Sequence, residues 1–244
     1  MRNAILPLLV VMGLLLVPVQ SEAAPGESTI GLQLGTNWSH MRAPADPVGS
    51  PTLMHGTAFD GFGYIVGATF SKTLTEVGGR PLAVAGDILY SHHQAGGFER
   101  HQESQVERIA TLTTDVLRVP LLARIGLTRS NPSRIYASIG PELWVGFRSG
   151  ATVELTNTDA QPEPLQTEPV THLLIDTEVG FDLQVGSEFS IPFNFRASWD
   201  PFVKRSTVER FSGYQSMSDP GSYKVAFDWQ ILAMTGVKWS GLAF

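Results

Sequence analysis

Apolar and polar residues alternate with a period of two along residues 173–185. The odd positions are apolar except for Thr177, and three of the five even positions from Ile175 onward are acids: Asp176, Glu178 and Asp182. A period of two predicts a β-strand with two different faces. One face of this strand therefore carries no charge, and the other face is strongly polar.

The same alternation occurs in seven other segments. The eight predicted strands cover residues 29–39, 61–71, 82–93, 114–127, 134–148, 173–185, 189–202 and 225–239. Each is longer than the usual strand of about 5–6 residues. Their lengths suit the roughly 9–11 residues that a tilted strand needs to cross a bilayer. Ile65 and Leu89 are exceptions to the pattern, since each is an apolar residue on a polar face.

The connections between these strands alternate in length. Long connections are predicted at 40–60, 94–113, 149–172 and 203–224, and short ones at 72–81, 128–133 and 186–188. An even strand count puts both termini on one side, so every long loop falls on the opposite side, as in outer-membrane barrels. The predicted fold is all-β: an eight-stranded antiparallel up-and-down transmembrane β-barrel with its apolar face towards lipid.

Outward aromatic residues cluster at the two ends of the predicted strands. Such clusters are typical of the two aromatic girdles of a membrane barrel. Phe62 and Phe227 are placed at the long-loop end, whereas Phe181, Phe193 and Phe195 lie nearer mid-strand and do not fit. The predicted girdle residues are Trp38, Tyr64, Tyr90, Phe147, Trp199 and Trp229 at the long-loop end, and Phe70, Phe189 and Trp239 at the other.

The inward face carries seven acids and four bases. An eight-stranded barrel is just wide enough for side chains to fill it, and buried charges must pair. We therefore predict an interlocked ionic core in which each inward arginine is shared among carboxylates, with a narrow pore as the alternative. The predicted members are Asp87, Arg118, Arg124, Glu142, Asp176, Glu178, Asp182, Arg196, Asp200, Asp228 and Lys238. Inward glycines are expected to make room for them: Gly31, Gly35, Gly63, Gly67, Gly140 and Gly180.

Residues 1–23 have the features of a secretory signal peptide. A positive Arg2 precedes an apolar run, and small residues allow cleavage after Ala23 or after Ser21. The barrel domain is then residues 24–244. The chain has no cysteine, which excludes disulfides and thiolate metal sites. An exported chain without disulfides suits a bacterial envelope.

The charge and composition of the chain limit the classes of binding partner that we expect. Charged residues make up 16% of the chain and the formal net charge is −6, without a basic run. Nucleic acid is therefore not an expected partner, and a low charged fraction is typical of a protein with much lipid-facing surface. We expect outer-membrane lipid and the barrel assembly machinery as partners, a monomer, and no cofactor.

Several segments resemble the PorT-like family of bacterial outer-membrane β-barrel proteins. The resembling segments are Gly31–Asn37, Leu89–Ser91, Leu117–Arg124, Ser138–Glu142 and Val179–Leu183. The resemblance is carried by their order and spacing over nearly all of the mature chain. It implies an eight-stranded barrel in the outer membrane, but no common activity and no catalytic residue.

The end of the last strand has two interpretations. Proteins of this kind usually finish on an aromatic residue that the assembly machinery recognises. The odd-position frame places Trp239 outward and the final Phe244 on the other face. Either a bulge at Ser240–Gly241 restores the frame, which we favour, or Trp239 closes the strand.

All six histidines are predicted in long loops or at their edges: His40, His55, His92, His93, His101 and His172. Imidazole suits zinc and copper, so His92, His93 and His101 are weak metal candidates. No pair has a helical ligand spacing, and we expect solvated loop residues. Ser91-His92-His93 also suggests a lipid-modifying rim enzyme, but no orienting acid is identified, so no catalytic residue is predicted.

A soluble lipocalin-like periplasmic barrel is the competing hypothesis. It would place the aliphatic face around an apolar ligand and the charges in solvent, and periodicity alone does not exclude it. Strand length, loop alternation and aromatic sorting favour the outer membrane. The expected function is non-enzymatic: a structural role, or binding of an extracellular surface partner through four exposed loops.

Overall fold

The structure is a computed structural model that describes most of the chain beyond residue 26. The described residues are 27–41, 54–56, 59–101, 107–128, 133–156, 163–165, 167–201, 223–224 and 227–242. The predicted signal peptide, both cleavage positions and Phe244 lie outside them. Among the described residues, no helix has the length and apolar character of a membrane span.

Eight long antiparallel strands close into a ring. They are β1 (Ser28–Met41), β3 (Phe59–Val77), β4 (Arg80–His101), β5 (Glu107–Gly126), β6 (Ser133–Thr156), β9 (Thr171–Gln184), β10 (Phe189–Trp199) and β12 (Trp229–Leu242). Each long strand pairs with the next one along the chain, and β12 pairs with β1. The predicted eight-stranded antiparallel up-and-down barrel is thereby confirmed.

Four short strands decorate the long-loop end of this ring. Strand β2 (Met54–Gly56) pairs with β4, and β7 (Glu163–Leu165) pairs with β6. Strands β8 (Thr167–Glu168) and β11 (Tyr223–Lys224) pair with each other in parallel.

Several strand boundaries differ from the sequence prediction. Strands β4, β5 and β6 extend well into the predicted long loops, because backbone pairing continues beyond the point where apolar and polar residues alternate regularly. The predicted turn 72–81 is reduced to Gly78–Gly79, both with positive φ, a conformation that favours glycine and suits a two-residue hairpin. The last strand begins at Trp229 rather than at 225.

Burial follows the alternation, with apolar residues outside and charges inside. Leu32 is 70% exposed and Phe62 is 71% exposed, whereas Arg118 and Glu142 are fully buried. Outward aliphatic residues form a belt around the ring that includes Val66, Ile88, Leu121, Ile139, Val179, Ile231 and Val237. The lipocalin-like hypothesis requires the opposite burial, so it is wrong for this chain.

The inward glycines act differently from the prediction at most positions. A Cβ on Gly63 would lie 1.8 Å from the carbonyl oxygen of His92, and one on Gly140 would lie 2.0 Å from that of Leu121. These glycines therefore allow neighbouring backbones to approach closely. Only at Gly180 does the missing Cβ chiefly make room for inward side chains, because it would lie 2.6 Å from the Tyr136 ring.

The ring closes with a bulge near its short-turn end. Thr29 pairs with Ser240, whereas Ser28 pairs with Leu242, so Gly241 is the extra residue. The bulge that we favoured from the sequence is therefore present, and the strand does not end at Trp239.

Candidate functional site

The barrel interior is the candidate site, and its charged centre is built around Arg196. The Arg196 side chain donates to Glu178 Oε2 from Nε at 3.0 Å and from Nη2 at 2.6 Å, and Nη2 also donates to Asp87 Oδ2 at 2.5 Å. Its Nη1 lies 3.7 Å from Asp176 Oδ2. All four groups are buried, so one guanidinium lies among three carboxylates inside the barrel.

Arg118 forms a second buried pair above this centre. Its Nε and Nη2 donate to the two oxygens of Glu142 at 2.7 and 2.9 Å, the two-pronged geometry that arginine and carboxylate favour. The remaining donors reach Gln230 Oε1 at 3.0 Å and Ser198 Oγ at 2.7 Å. The hydrogen bonds of Arg118 thus join four strands, β5, β6, β10 and β12, across the interior.

The lower part of the interior holds Arg124, Lys238 and Tyr136. Arg124 Nη2 donates to Glu178 Oε1 at 2.9 Å, and its guanidinium lies 3.9 Å from the centroid of the Tyr136 ring. Lys238 Nζ donates to Asp182 Oδ1 at 2.7 Å. Tyr136 also hydrogen-bonds Asn194. Polar and cation–π contacts therefore continue to the short-turn end.

Two of the predicted interior residues lie nearer the long-loop end than the charged centre does. Asp200 and Asp228 are buried near the long-loop end, where the Asp228 carbonyl accepts a backbone hydrogen bond from Asp200. His172 hydrogen-bonds the Asp200 carboxylate at 2.8 Å. The prediction that every arginine is shared among carboxylates is wrong for Arg118 and for Arg124, since each of them bonds a single carboxylate and its other bonds go to neutral oxygens.

An apolar cluster occupies part of the interior beside the charges. Ile65, Leu89, Leu232 and Met234 are all buried and pack together. Ile65 and Leu89 are the two exceptions to the alternation, so their inward placement follows the strand frame. Their hydrophobic side chains stay inside because partners from β12 cover them.

A cluster of aromatic rings lies above the Arg118 pair. The His93 ring is 4.7 Å from the Trp144 ring and 5.5 Å from the Phe227 ring, and the Arg118 guanidinium is 5.3 Å from Trp144. His93, Trp144 and Phe227 are fully buried. We call these three residues the aromatic cap.

Serine hydroxyls hold the imidazole of the cap in place. The Oγ atoms of Ser39 and Ser91 lie 2.7 and 2.8 Å from His93 Nδ1 and Nε2 respectively. Asn37 Nδ2 donates to Ser91 Oγ at 3.0 Å. Both imidazole nitrogens therefore have partners without a carboxylate among them, so this arrangement lacks the orienting acid of a nucleophilic triad.

The predicted outward position of Phe227 is wrong. Strand β12 begins at Trp229, so the two-residue frame does not reach Phe227, and both Phe227 and Asp228 are buried. Trp144, by contrast, lies on the same face as Glu142. Because Trp144 follows the inward Glu142 by two residues, the alternation places it inside, although its apolar character argued for the outer face.

The four histidines whose side chains the structure describes, all but His55 and His101, are hydrogen-bonded. His40 Nδ1 lies 2.7 Å from Asp60 Oδ1, and His92 Nδ1 lies 2.6 Å from Asp115 Oδ1. The His92 side chain lies on the outer face of the barrel wall and that of His93 lies in the interior. The two neighbours therefore cannot contribute to one metal site. No cluster of three metal-binding side chains occurs within the described ranges, and the side chain of His101 is not among the described ones.

The predicted girdle residues pack in pairs at the two ends. At the long-loop end the Trp38 and Trp229 rings are 4.7 Å apart, edge to face, and Tyr90 lies between Tyr64 at 5.9 Å and Phe147 at 6.1 Å. At the other end Phe189 and Trp239 stack at 5.4 Å. Trp199 and Phe70 are exposed near these two ends. Phe181 and Phe193 stack on each other at 4.7 Å, and Phe195 is exposed.

No family model matches the chain, and no curated protein matches it. Among solved structures, the N-terminal β-barrel domain of Pseudomonas aeruginosa OprF is similar at 9% identity, covering 89% of this chain and 98% of that one, with a TM-score of 0.40. Neisserial surface protein A is 11% identical over 91% of this chain and all of that one, with a TM-score of 0.37.

A third similar structure is the attachment invasion locus protein Ail of Yersinia pestis, crystallised with the heparin analogue sucrose octasulfate. It is 11% identical, covers 89% of this chain and 100% of that chain, and has a TM-score of 0.36. All three are barrel or surface proteins of bacteria. Because these TM-scores are low, the fold rests on the strand pairing described above.

Proposed function

We propose that the protein is an integral outer-membrane β-barrel whose interior is plugged by its own side chains. The observation that carries this proposal is the inverted burial: an exposed aliphatic belt around an interior of paired charges. Soluble monomers rarely expose contiguous apolar patches larger than a few hundred Å². In a bilayer the same belt would contact hydrocarbon instead of water. A closed ring also leaves no strand edge with unpaired backbone groups in the membrane.

The size of the interior side chains supports the proposed plug. Trp144, Arg118, Arg196 and Phe227 are among the largest fully buried side chains. Opening a path for ions would require breaking the Arg118–Glu142 or the Arg196–Glu178 pair. Removing one partner of a buried pair costs about 3–5 kcal/mol, so we propose no open pore.

The proposed role is structural, or it lies in binding a surface partner through the long-loop end. Strands β4, β5 and β6 rise beyond the aromatic girdle and present their polar residues there. Membership of the PorT-like family, cleavage of the signal peptide, a monomeric state and the lack of enzymatic activity remain predictions.

The decisive experiment is expression of the full chain followed by membrane fractionation and electrophoresis in mild detergent. We expect the protein in the outer-membrane fraction, with faster migration before boiling than after. A soluble periplasmic protein without this shift would overturn the proposal.

The plug has its own test in planar lipid bilayers. We expect no stepwise conductance from the purified protein, because the paired arginines and the aromatic cap block the interior. Steady channels from the wild-type chain would contradict the plug, while leaving the membrane-barrel proposal intact.

A further inference from the structure

A groove on the outer wall lies directly above the aliphatic belt. Its lining comes from four consecutive strands of the ring: Tyr64 on β3, Tyr90 and His92 on β4, Asp115 on β5, and Arg148 on β6. Below it, the outward residues Val66, Ile88, Leu117 and Val119 are exposed. The groove thus joins a polar pocket to the surface that would contact acyl chains.

A bulge in β6 points Arg148 outward. Asp115 pairs with Arg148, and Val116 pairs with Gly146, so Phe147 is the extra residue. Phe147 and Arg148 are consequently both exposed on the outer wall, although neighbours in a regular strand point to opposite faces. The bulge therefore places a cation directly beside the upper girdle.

The acid in the groove is covered, whereas the cation is open. Asp115 Oδ1 accepts a hydrogen bond from the Tyr90 hydroxyl at 2.9 Å and lies 2.6 Å from His92 Nδ1, and its side chain is only 12% exposed. The Arg148 side chain is 81% exposed, and its Nε lies 3.9 Å from Asp115 Oδ2. Tyr90 and His92 therefore shield the carboxylate and leave the guanidinium donors available.

Arg148 has no basic competitor near this rim among the side chains that the structure describes. Lys72 and Arg80 are exposed at the short-turn end, and the other exposed charges at the long-loop end are the acids Asp60, Glu154 and Glu168. Arginine recognises phosphate through two parallel N–H donors. The Tyr64 ring stacks on His92 at 5.3 Å and closes one side of the groove.

We propose that this groove binds the phosphate of a lipid headgroup in the outer leaflet. Arg148 binds the phosphate, His92 and Tyr64 line the pocket, and the acyl chains lie on the aliphatic belt below. The proposal rests on the membrane location proposed above. A lipid fits this position better than a free anion does, because the groove opens onto the surface that the belt gives to hydrocarbon.

The test uses the full-length folded protein in detergent micelles. Phosphatidic acid, phosphatidylcholine with the same chains, and inorganic phosphate are each added, and bound lipid is counted by native mass spectrometry. We expect a preference for phosphatidic acid, with affinity about fivefold weaker in Arg148→Gln, which is the contribution of one basic residue near a lipid surface. Arg148→Lys should keep most of the affinity.

Arg80→Gln is the matched control, since it removes the same charge from an exposed position at the opposite end. It should leave the preference unchanged. The imidazole resonance of His92, assigned from its loss in His92→Asn, should shift with phosphatidic acid only. Equal weakening in Arg80→Gln, no preference between the lipids, or a His92 shift with inorganic phosphate alone would overturn the proposal.

Failure of the proposed headgroup site can be distinguished from failure of the proposed membrane barrel. Heat-dependent migration of Arg148→Gln should match the wild type, which shows that the barrel has folded. A protein that folds in the outer membrane but shows no phosphatidic acid preference contradicts the headgroup site alone.

Discussion

Replacing Val179 by arginine tests the hypothesis that the apolar outer face of the barrel contacts lipid. Val179 is exposed on β9 and pairs with Phe195 on β10. Phe195 lies six residues from Phe189 and four from Trp199, which belong to the two girdles. Val179 is therefore near the middle of the belt, where an outward charge is most costly.

The size of the effect follows from that position. Arginine on the lipid face of a β-barrel costs roughly 2–4 kcal/mol at the midplane and about 0–1 kcal/mol near the interfaces. The lower and upper values correspond to roughly 30-fold and 800-fold in the folding equilibrium. The free energy of unfolding of a typical domain is about 5–15 kcal/mol. The Val179→Arg variant should therefore still fold, but with clearly reduced stability.

The assay is urea titration of the heat-shifted band for protein folded into lipid vesicles. Ser187→Arg is the control, because this exposed residue lies in the short turn outside the belt and gains the same charge. We expect a lower urea midpoint for Val179→Arg only. A wild-type midpoint for Val179→Arg, or an equal loss for Ser187→Arg, would refute the lipid-facing assignment.

Two further substitutions test the interior with the same assay. Arg196→Met leaves the carboxylates around it, Glu178 first, without their cation, and we expect a loss of about 3–5 kcal/mol; a change below 1 kcal/mol would show that the pairs are not formed. Gly180→Ala places a methyl group 2.6 Å from Tyr136 and should cost about 1–3 kcal/mol, whereas Gly186→Ala meets no atom within 4 Å and should change nothing. Equal midpoints for the two alanine variants would contradict the packing at Gly180.

The alternation predicted the ring well because strand geometry leaves little choice. Glu142 on β6 and Asp176 and Glu178 on β9 all occupy inward positions of their strands, and a slip by one residue would turn each of them to the outer face. The frame therefore places the charged side chains correctly even though it says nothing about their partners. The pairing of Arg196 with Asp87 depends on ring closure and has no local signal.

The interior aromatic residues were harder to predict, because the character of these side chains and the alternation along their strands do not indicate the same face. Trp144 and His93 both follow the inward alternation of their strands, but Trp144 is apolar and His93 is the last residue of its predicted strand. Phe227 precedes its strand and has no frame at all. A rule that large apolar residues face outward fails for Trp144 and Phe227, since both rings pack with His93 in the aromatic cap.

The outer groove could not be predicted from the sequence. Arg148 follows Phe147, and a regular strand would put one of them inside. Only the register between β5 and β6 shows the bulge. The alternation thus predicted the outward position of Phe147 but missed that of Arg148.

The seam between β1 and β12 has a consequence for the order of folding. Thr29 pairs with Ser240, and the interior bonds from Asn194 to Gln33 and from Arg118 to Gln230 likewise join distant parts of the chain. Contacts of such sequence separation form late, because their loop-closure entropy must be overcome first. The buried charges should thus keep their water until the last strand docks, which makes dehydration of the interior and closure of the ring a single cooperative step.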